Sequence, residues 1–443
     1  MTNAKIGLVS LGCSKNQVDA ERMVALLRAD GFELCADAGL CDVVIINTCG
    51  FIEDAKKESI ENILEFAMLK DEGRVKAIVI TGCLAERYRE QVEDEFPEAD
   101  VILGIGRNGD ISEAVRRALN GERVVEFGEK SGLPLEGDRI LANLPFYAYL
   151  KIADGCDNRC SYCAIPMIRG EFRSRKMEDI VAEAELLVSR GVTELNLVAQ
   201  DTTRYGMDLY SRLMLPELLD KLCEIEGLRW LRVLYCYPDN ITDELLQVMA
   251  KQDKIVKYID VPVQHVSARV LKDMSRRGDA RSLAALMETI RAKIPGVTLR
   301  TTLITGFPGE TDEEFEELCR FVSKVRFDRL GCFTYSREED TEAANLPNQL
   351  DEDVKRRRAD VIMELQMDIQ MEIGEAKIGG EIEVLCEGYD RIAESWFGRS
   401  AADAPDIDTK VFFTTASKVA PGDYVTVRIE DALDCDLVGV RAE

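Results

Sequence analysis

The stretch 155–166, GCDNRCSYCAIP, places three cysteines on one short segment. They are Cys156, Cys160 and Cys163, separated by three residues and then by two. Thiolates this close usually bind a metal, and soft sulfur ligands select zinc or iron–sulfur clusters. Structural zinc takes four protein ligands, and no fourth cysteine or histidine lies nearby in the sequence. The spacing therefore favours an iron–sulfur cluster with one iron left open.

Composition indicates a long, acidic globular chain. Its 443 residues exceed one ordinary core and suggest about three domains. The 14 cysteines point to metal or redox chemistry in a reducing compartment, because disulfide frameworks belong to oxidising ones. The opening MTNAKIGLVSLG is not a secretion leader, and no apolar run approaches the roughly 18 residues of a membrane span. We therefore expect a cytoplasmic protein with no membrane partner.

The net charge of −26 bears on partners. Such a field repels the phosphate backbone of nucleic acids and attracts a cationic partner. The alternative is that the charge serves solubility alone.

The region 1–135 alternates strands with helices, as in a parallel α/β sheet domain. Three predicted strands, in KIGLVSLGC, DVVIINTCGF and VKAIVITGCLAERY, each end in a cysteine: Cys13, Cys49 and Cys83. The carboxyl ends of parallel strands line the crevice where ligands bind, so we expect these cysteines to share a metal site. The alternative is three buried apolar residues, since free cysteine is often buried.

The same region carries a glycine pattern typical of dinucleotide sites. Gly104, Gly106 and Gly109 follow a predicted strand, and Glu126 lies about 20 residues further on. The pattern closes the domain instead of opening it on the first βα turn. We therefore interpret it as a glycine-rich turn.

The region 140–372 repeats a strand and a helix six times, which predicts a partial (β/α)6 barrel with a parallel sheet. Chemistry in such barrels lies on the loops after the strands, and the 155–166 stretch follows the first one. The region 375–443 alternates apolar and polar residues, which predicts a small antiparallel β-barrel of the OB-like kind. The helical run DEDVKRRRADVIMELQMDIQMEI links the two.

The CxxxCxxC spacing, with Tyr162 before the last cysteine, resembles the signature of radical S-adenosylmethionine (radical SAM) enzymes. The resemblance implies that the open iron of a [4Fe–4S] cluster binds S-adenosylmethionine. Cleavage of that cofactor gives a 5′-deoxyadenosyl radical that abstracts hydrogen from carbon.

Two further segments resemble cofactor-binding segments of that superfamily. The resemblance implies that Gln200 and Asp201, in LVAQD, touch the methionine part of the cofactor, and that Thr305 and Gly306, in LITGFPGET, lie near its adenosine. For the second segment, a turn followed by a helix capped by Thr311 is an equally valid interpretation.

Three arginines, Arg169, Arg173 and Arg175, follow the triad in IRGEFRSRK. Guanidinium groups suit a carboxylate of cofactor or substrate. A solvated surface run is the alternative.

The three regions together resemble the methylthiotransferases, which combine a sheet domain, a radical SAM barrel and a C-terminal TRAM barrel. The resemblance implies that Cys13, Cys49 and Cys83 bind a second [4Fe–4S] cluster that handles the inserted sulfur, and that a second S-adenosylmethionine supplies the methyl group. We interpret His265 as structural, and the remaining eight cysteines as buried apolar residues. No motif identifies the electron donor or the sulfur source.

The substrate is predicted from charge. From Ala376 to Glu443 the chain has seven basic and fourteen acidic residues, a net charge of −7, which is the wrong sign for RNA. The stretches SLGCSKNQVDAE and GRSAADAPDID resemble the RimO-type enzymes, which modify the β-carbon of an aspartate in a basic small-subunit ribosomal protein. We expect Asp403, Asp406 and Asp408 to attract that protein from the barrel rim.

Two alternatives remain open at this point. One is a methylthiotransferase of transfer RNA adenosine. The other is a non-catalytic iron–sulfur electron carrier, although such carriers normally hold their clusters with four cysteines.

Overall fold

Three sheets organise the chain, and the computed structural model describes residues 4–442. The first sheet is fully parallel, with the order β2-β1-β3-β4-β5-β6. Its strands are β1 (Lys5–Ser10), β2 (Glu33–Leu34), β3 (Val43–Thr48), β4 (Ala77–Gly82), β5 (Val101–Leu103) and β6 (Val124–Glu126). Its helices are α1 (Ser14–Ala29), α2 (Glu53–Asp71), α3 (Cys83–Arg87), α4 (Arg89–Glu95) and α5 (Ile111–Leu119).

Strands β3 and β4 explain the layering of this domain. Every residue of VVIINT and AIVITG is buried, as expected for central parallel strands covered on both faces. Helices α1 and α5 cover one face, and α2, α3 and α4 cover the other.

The second sheet is the predicted partial barrel, with six parallel strands in the order β14-β13-β12-β11-β10-β7. Its strands are β7 (Tyr147–Lys151), β10 (Glu194–Val198), β11 (Trp230–Val233), β12 (Ile255–Asp260), β13 (Thr298–Thr305) and β14 (Arg329–Thr334), and a small pair is formed by β8 (Ala153–Asp154) and β9 (Arg173–Ser174). The helices of this region are α6 (Ile165–Arg169), α7 (Met177–Ser189), α8 (Met207–Tyr210), α9 (Leu215–Cys223), α10 (Asp243–Lys251), α11 (Ala268–Asp273), α12 (Ala280–Lys293), α13 (Asp312–Val325) and α14 (Glu352–Glu375).

The third sheet is a closed five-stranded barrel in the order β15-β16-β17-β19-β18. Its strands are β15 (Glu381–Asp390), β16 (Ser395–Ser400), β17 (Val411–Thr414), β18 (Tyr424–Leu433) and β19 (Asp436–Arg441). All neighbours are antiparallel except β17 and β19, which pair in parallel to close the ring. Helix α14 joins this barrel to the preceding domain, as predicted. No helix within residues 4–442 is both long and apolar enough to span a membrane.

The loop between β16 and β17 docks the small barrel onto the strand-start end of the larger one. Asp403 is 1% exposed and pairs with Arg329, and Asp408 accepts a hydrogen bond from the Tyr258 hydroxyl at 2.7 Å. Of these three aspartates, only Asp406 is exposed. The expectation that all three aspartates face an incoming partner is therefore wrong for Asp403 and Asp408, because these carboxylates are used to hold the two domains together.

Candidate active site

The first cysteine triad lies on the loop between β8 and α6. The Cys163 amide donates to the Cys160 carbonyl at 3.0 Å, and the Cys156 amide donates to the Gly170 carbonyl at 3.1 Å. Gly155 has a φ of +80°, and a Cβ there would collide with the carbonyl oxygen of Glu171. The loop is thus pinned at both ends, so that its three thiols occupy a defined turn at the carboxyl end of the first barrel strand.

One buried arginine accompanies this triad. Arg276 points Nη1 at the Cys160 sulfur over 3.8 Å, donates from Nη2 to the Pro262 carbonyl at 2.6 Å, and lies over the Tyr237 ring. Burial raises the pKa of Cys156 to about 11 and also raises that of Cys163. Metal binding, or a nearby cation such as this guanidinium, is what would favour their thiolate forms.

Tyr162, between the second and third cysteines, packs its ring into apolar surroundings. Its ring lies against the cluster that includes Val270, Met274 and Phe307. The aromatic residue of the signature therefore braces the loop against α11.

The second triad is assembled from three neighbouring strands of the first sheet. Cys13 lies between β1 and α1, Cys49 follows β3, and Cys83 begins α3 directly after β4. The three strands are adjacent in the sheet, so their ends lie side by side. Gly12 has a φ of +86°, and a Cβ there would lie 2.8 Å from the Cys49 sulfur, which requires glycine beside the thiol.

Charges act unequally on the second triad. Cys13 is exposed to solvent, but the protein atoms around it still work against its ionisation. Lys15 and Arg169 outweigh this effect and lower the pKa of the thiol. Burial raises the pKa of Cys49 to about 12, and it raises that of Cys83 although Arg169 donates to the Cys83 sulfur at 3.4 Å.

The donor set of each triad is three thiols, the ligand type that iron–sulfur clusters take. Within residues 4–442 no three cysteine, histidine or carboxylate side chains converge closely enough to hold one metal ion. The cysteines of an iron–sulfur cubane each bind a different iron, so they lie farther apart than the ligands of one ion.

Helix α6 separates the two triads. It begins just after Cys163, and its residues Ala164 and Ile168 pack against Cys83. Its last residue, Arg169, reaches across to the second triad. The two triads therefore lie on either side of one short helix, at the carboxyl ends of both parallel sheets.

A buried charge network joins α1 to the barrel beneath this helix. Asp19 of α1 binds both Lys151 and Arg169, and the same two cations contact Asp154. All four side chains are at most 2% exposed. Burial opposes ionisation of Asp154, but Lys151 and Arg169 outweigh it and lower the pKa. The network fixes the first domain against the barrel mouth.

Gln200 and Asp201 lie at the end of β10, as the LVAQD resemblance requires. Gln200 donates to Asp154 at 3.0 Å, while its Oε1 is buried without a partner among residues 4–442. Asp201 is buried and accepts from Asn158 at 3.0 Å and Thr203 at 2.6 Å. The free acceptor on Gln200 is therefore the more available of the two polar groups, and cofactor contact by both residues stays a prediction.

Thr305 and Gly306 lie at the end of β13 beneath α14. The Thr305 hydroxyl donates to the Lys355 carbonyl at 3.3 Å, and the Gly306 amide donates to Glu310 at 2.9 Å. Thr311 caps α13 in a reciprocal box with Glu314, as the turn-and-cap interpretation predicts. Contact with adenosine stays a prediction.

The three arginines after the first triad do not form a free carboxylate fork. Arg169 belongs to the buried network, Arg175 pairs with Glu136 and Glu183, and Arg173 donates to the carbonyls of Lys130 and Ser131. Both the substrate-fork hypothesis and the solvated-surface alternative are wrong for Arg169 and Arg175, since internal carboxylates already bind these buried side chains.

The glycine pattern is a structural turn, as predicted. Gly106 lies in a short 3-10 helix, and Glu126 is occupied by Arg107 and Arg117. His265 is buried and accepts from the Ser267 amide at 3.0 Å, which fits a structural role.

The eight other cysteines are more varied than predicted. Cys41, Cys223, Cys236 and Cys386 are buried, whereas Cys35, Cys319, Cys332 and Cys435 are partly exposed.

Two residues at this site escaped the reasoning from sequence. Arg276 lies on a loop far from the first triad in the chain, and no spacing signals its approach to Cys160. Lys15 is close to Cys13 in sequence, but its burial depends on the docking of α1 against the barrel, where its ammonium lies 3.4 Å from the centroid of the Tyr235 ring.

Each of the three domains matches a known family. Residues 5–104 match an uncharacterized protein family, UPF0004, residues 150–322 match the radical SAM superfamily, and residues 378–441 match the TRAM domain. Among solved structures, the radical SAM methyltransferase TsrM from Kitasatospora setae shares the fold with a TM-score of 0.58 at 14% identity, over 77% of this chain and 74% of that one. The fold and the first triad thus define a radical SAM enzyme.

Full-length relatives specify the family. A ribosomal protein uS12 methylthiotransferase RimO from Pelotomaculum thermopropionicum is 51% identical over 98% of both chains, and one from Clostridioides difficile is 46% identical over 98% of both. At this identity and coverage, the chain belongs to the RimO family of radical SAM methylthiotransferases.

Proposed function

We propose that this chain replaces a hydrogen on the β-carbon of an aspartate in ribosomal protein uS12 with a methylthio group. The observation that carries the proposal is the pair of cysteine triads on either side of α6, neither of which has a fourth cysteine or histidine beside it within residues 4–442. The names of the relatives supply the substrate protein.

Six thiols would hold two [4Fe–4S] clusters. Cys156, Cys160 and Cys163 would bind the one that, when present, supplies the electron for cleaving S-adenosylmethionine, and the other triad, Cys13, Cys49 and Cys83, would bind the one that handles sulfur. Leaving one iron without a protein ligand gives each cluster a position for a small molecule, which a four-cysteine electron carrier lacks.

The protein's own residues do the positioning. Arg276 and Arg169 each direct a guanidinium at one thiol of a triad, over 3.8 Å and 3.4 Å, and hydrogen bonds to cluster sulfurs influence the reduction potential. The buried network around Asp19 and Asp154 holds α1 of the first domain against the barrel.

Charge favours a protein substrate over RNA. The net charge of −26 and the acidic C-terminal barrel suit a basic ribosomal protein and oppose a phosphate backbone. The two cited relatives of RimO type agree with this choice.

The test is mass spectrometry of products. The protein reconstituted anaerobically with iron and sulfide is incubated with S-adenosylmethionine, a reductant, and either purified uS12 or transfer RNA. We expect uS12 to gain the mass of one methylthio group in place of one hydrogen, on an aspartate, and transfer RNA to stay unchanged. Modification of transfer RNA alone, or no modification of uS12, would reject the proposal.

A further inference from the structure

Lys15 is a buried cation with no carboxylate partner. Its side chain lies in α1 and the residue is 7% exposed. Among residues 4–442, no carboxylate oxygen lies within 4.0 Å of its Nζ and no hydrogen bond to that atom is formed. Buried lysines are rare unless paired, because an unpaired charge away from water is costly. Within the described residues, the Cys13 thiolate is the anionic group that interacts with this ammonium, and no carboxylate does so.

The neighbouring cations are already occupied. Lys151 and Arg169 are bound by Asp19 and Asp154. The Arg276 guanidinium donates hydrogen bonds to the Pro262 carbonyl and the Cys160 sulfur. Lys15 differs from these cations because its ammonium donates no hydrogen bond within residues 4–442.

Its position is between the second triad and the barrel mouth. Lys15 follows Cys13 by two residues, and its Nζ lies 3.4 Å from the ring centroid of Tyr235, just past the end of β11. Tyr235 holds an unfavourable φ of +61°, and its amide donates to Asp260 at 3.0 Å while its carbonyl accepts from Thr202. Backbone strain maintained by surrounding hydrogen bonds is characteristic of functional sites.

We infer that Lys15 binds the side-chain carboxylate of the aspartate that is modified, an inference that rests on the proposed function. The carboxylate carbon is bonded to the β-carbon, so an ion pair at Lys15 would hold the reacting carbon beside Cys13 and facing the barrel. The Tyr235 ring would position the ammonium by a cation–π contact before the substrate arrives. Neutral asparagine, or an adenine base, would leave the buried charge unpaired and would be rejected on that ground.

A double-mutant cycle between enzyme and substrate tests the inference. Peptides spanning the modified site of uS12, with aspartate or asparagine at that position, are used to measure binding by competition and methylthiolation by mass spectrometry. For wild type we expect asparagine to weaken binding by about 30-fold or more, the scale for losing one partner of a buried charge pair. Lys15→Met should weaken binding of the aspartate peptide similarly and abolish the preference between the peptides. Lys15→Arg should retain part of it.

Controls separate this result from other failures. Lys76→Met, at a lysine that is 69% exposed and paired with Asp42, should keep the full preference. Iron content is measured in Lys15→Met and in Lys15→Arg, which keeps a cation beside Cys13, and substrate-free formation of 5′-deoxyadenosine is measured in both as a readout of the barrel triad. A Lys15→Met protein that keeps the aspartate preference would overturn the inference, and so would one that loses iron, which would assign Lys15 to cluster support. If wild type does not modify uS12 at all, the proposed function fails instead.

Discussion

The two cysteine triads differ in how the chain builds them. The barrel triad occupies one loop, from Cys156 to Cys163, whereas the first domain assembles its triad from strand ends spread between Cys13 and Cys83. The loop lies within one domain, and its distant contacts, from Arg276 to Cys160 and from Ser161 to Met274, stay inside that domain. The strand-end triad needs the whole sheet in register, and it also needs Arg169 from the other domain.

This difference predicts which substitutions should remove iron from each triad. We expect the triad on one loop to keep its geometry when contacts between the domains are disturbed. The triad assembled from strand ends should lose its geometry when those contacts are broken. Four predictions test this difference between the triads, and the largest expected effect comes first.

Removing one thiol from each triad should separate the two activities completely. Cys160→Ala should abolish formation of 5′-deoxyadenosine and of the methylthio product, because the proposed function assigns radical generation to the barrel cluster. Cys49→Ala should keep 5′-deoxyadenosine formation and lose only the product. Iron should fall from about eight to about four per chain in each variant, measured by iron and sulfide assays after anaerobic reconstitution. Methylthiolation surviving in Cys49→Ala would contradict the two-site assignment.

Breaking the domain bridge should affect the triads unequally. Arg169→Met leaves Asp19 and Asp154 without their shared guanidinium, and loss of one partner from a buried ionic network typically costs roughly 3–5 kcal/mol. We expect a lower midpoint of denaturant unfolding and selective loss of iron from the first domain, with 5′-deoxyadenosine formation retained.

The matched control for that variant is Arg173→Met. Its guanidinium contacts only the carbonyls of Lys130 and Ser131, so the unfolding midpoint and the iron content should change little. Equal iron loss from both triads in Arg169→Met would show that the barrel loop is no more independent than the strand ends.

The seat of the small barrel contains none of the six triad cysteines, so it should affect stability more than iron content. Asp403 is buried against Arg329, which outweighs the opposing effect of burial and lowers the pKa of that carboxyl. Asp403→Ala should destabilise the protein by about 3 kcal/mol, while Asp406→Ala at the exposed position should cost about 1 kcal/mol. Both variants should keep their iron. Iron loss in Asp403→Ala would mean that iron binding by the triads also depends on this interface.

The same difference between the two triads explains which features could be predicted from the sequence. The barrel triad was predictable because its spacing is local, and the strand-end triad because three cysteines recur at equivalent positions of a repeated βα pattern. The three-domain order and the six-stranded parallel sheet are confirmed. Cysteine ligation and the cofactor contacts of Gln200, Asp201, Thr305 and Gly306 stay predictions.

The features that could not be predicted from the sequence depend on contacts between the domains. Net charge counts acidic residues without saying which ones are buried, and for that reason Asp403 and Asp408 were misplaced on the surface. Helical periodicity alone similarly placed neither Lys15 over Tyr235 nor Arg169 beside Cys83, because these contacts form only when α1 meets the barrel.

The smallest expected effect concerns pH and the cap of α13, next to the GFPGET segment. Burial opposes ionisation of Glu314, but hydrogen bonds from Arg269, the Thr311 amide and Ser267 outweigh it and lower the pKa to about 2. A depressed carboxyl pKa adds stability that is fully present above the unfolded value of about 4.3 and is lost as pH falls toward the folded value. Since Arg269 is 45% exposed and solvent screens the pair, we expect about 1 kcal/mol at neutral pH.

Comparison of wild type with Glu314→Gln across pH measures that contribution. The difference in unfolding midpoint should be greatest near neutral pH and should shrink steadily between about pH 5 and pH 3. Glu316→Gln, at an exposed position of the same helix paired only with Arg320, should differ from wild type by much less throughout. Because this cap supports the barrel and not the strand-end triad, its loss should leave iron in the first domain intact. A stability difference that does not change with pH would assign the effect of Glu314 to packing instead of charge.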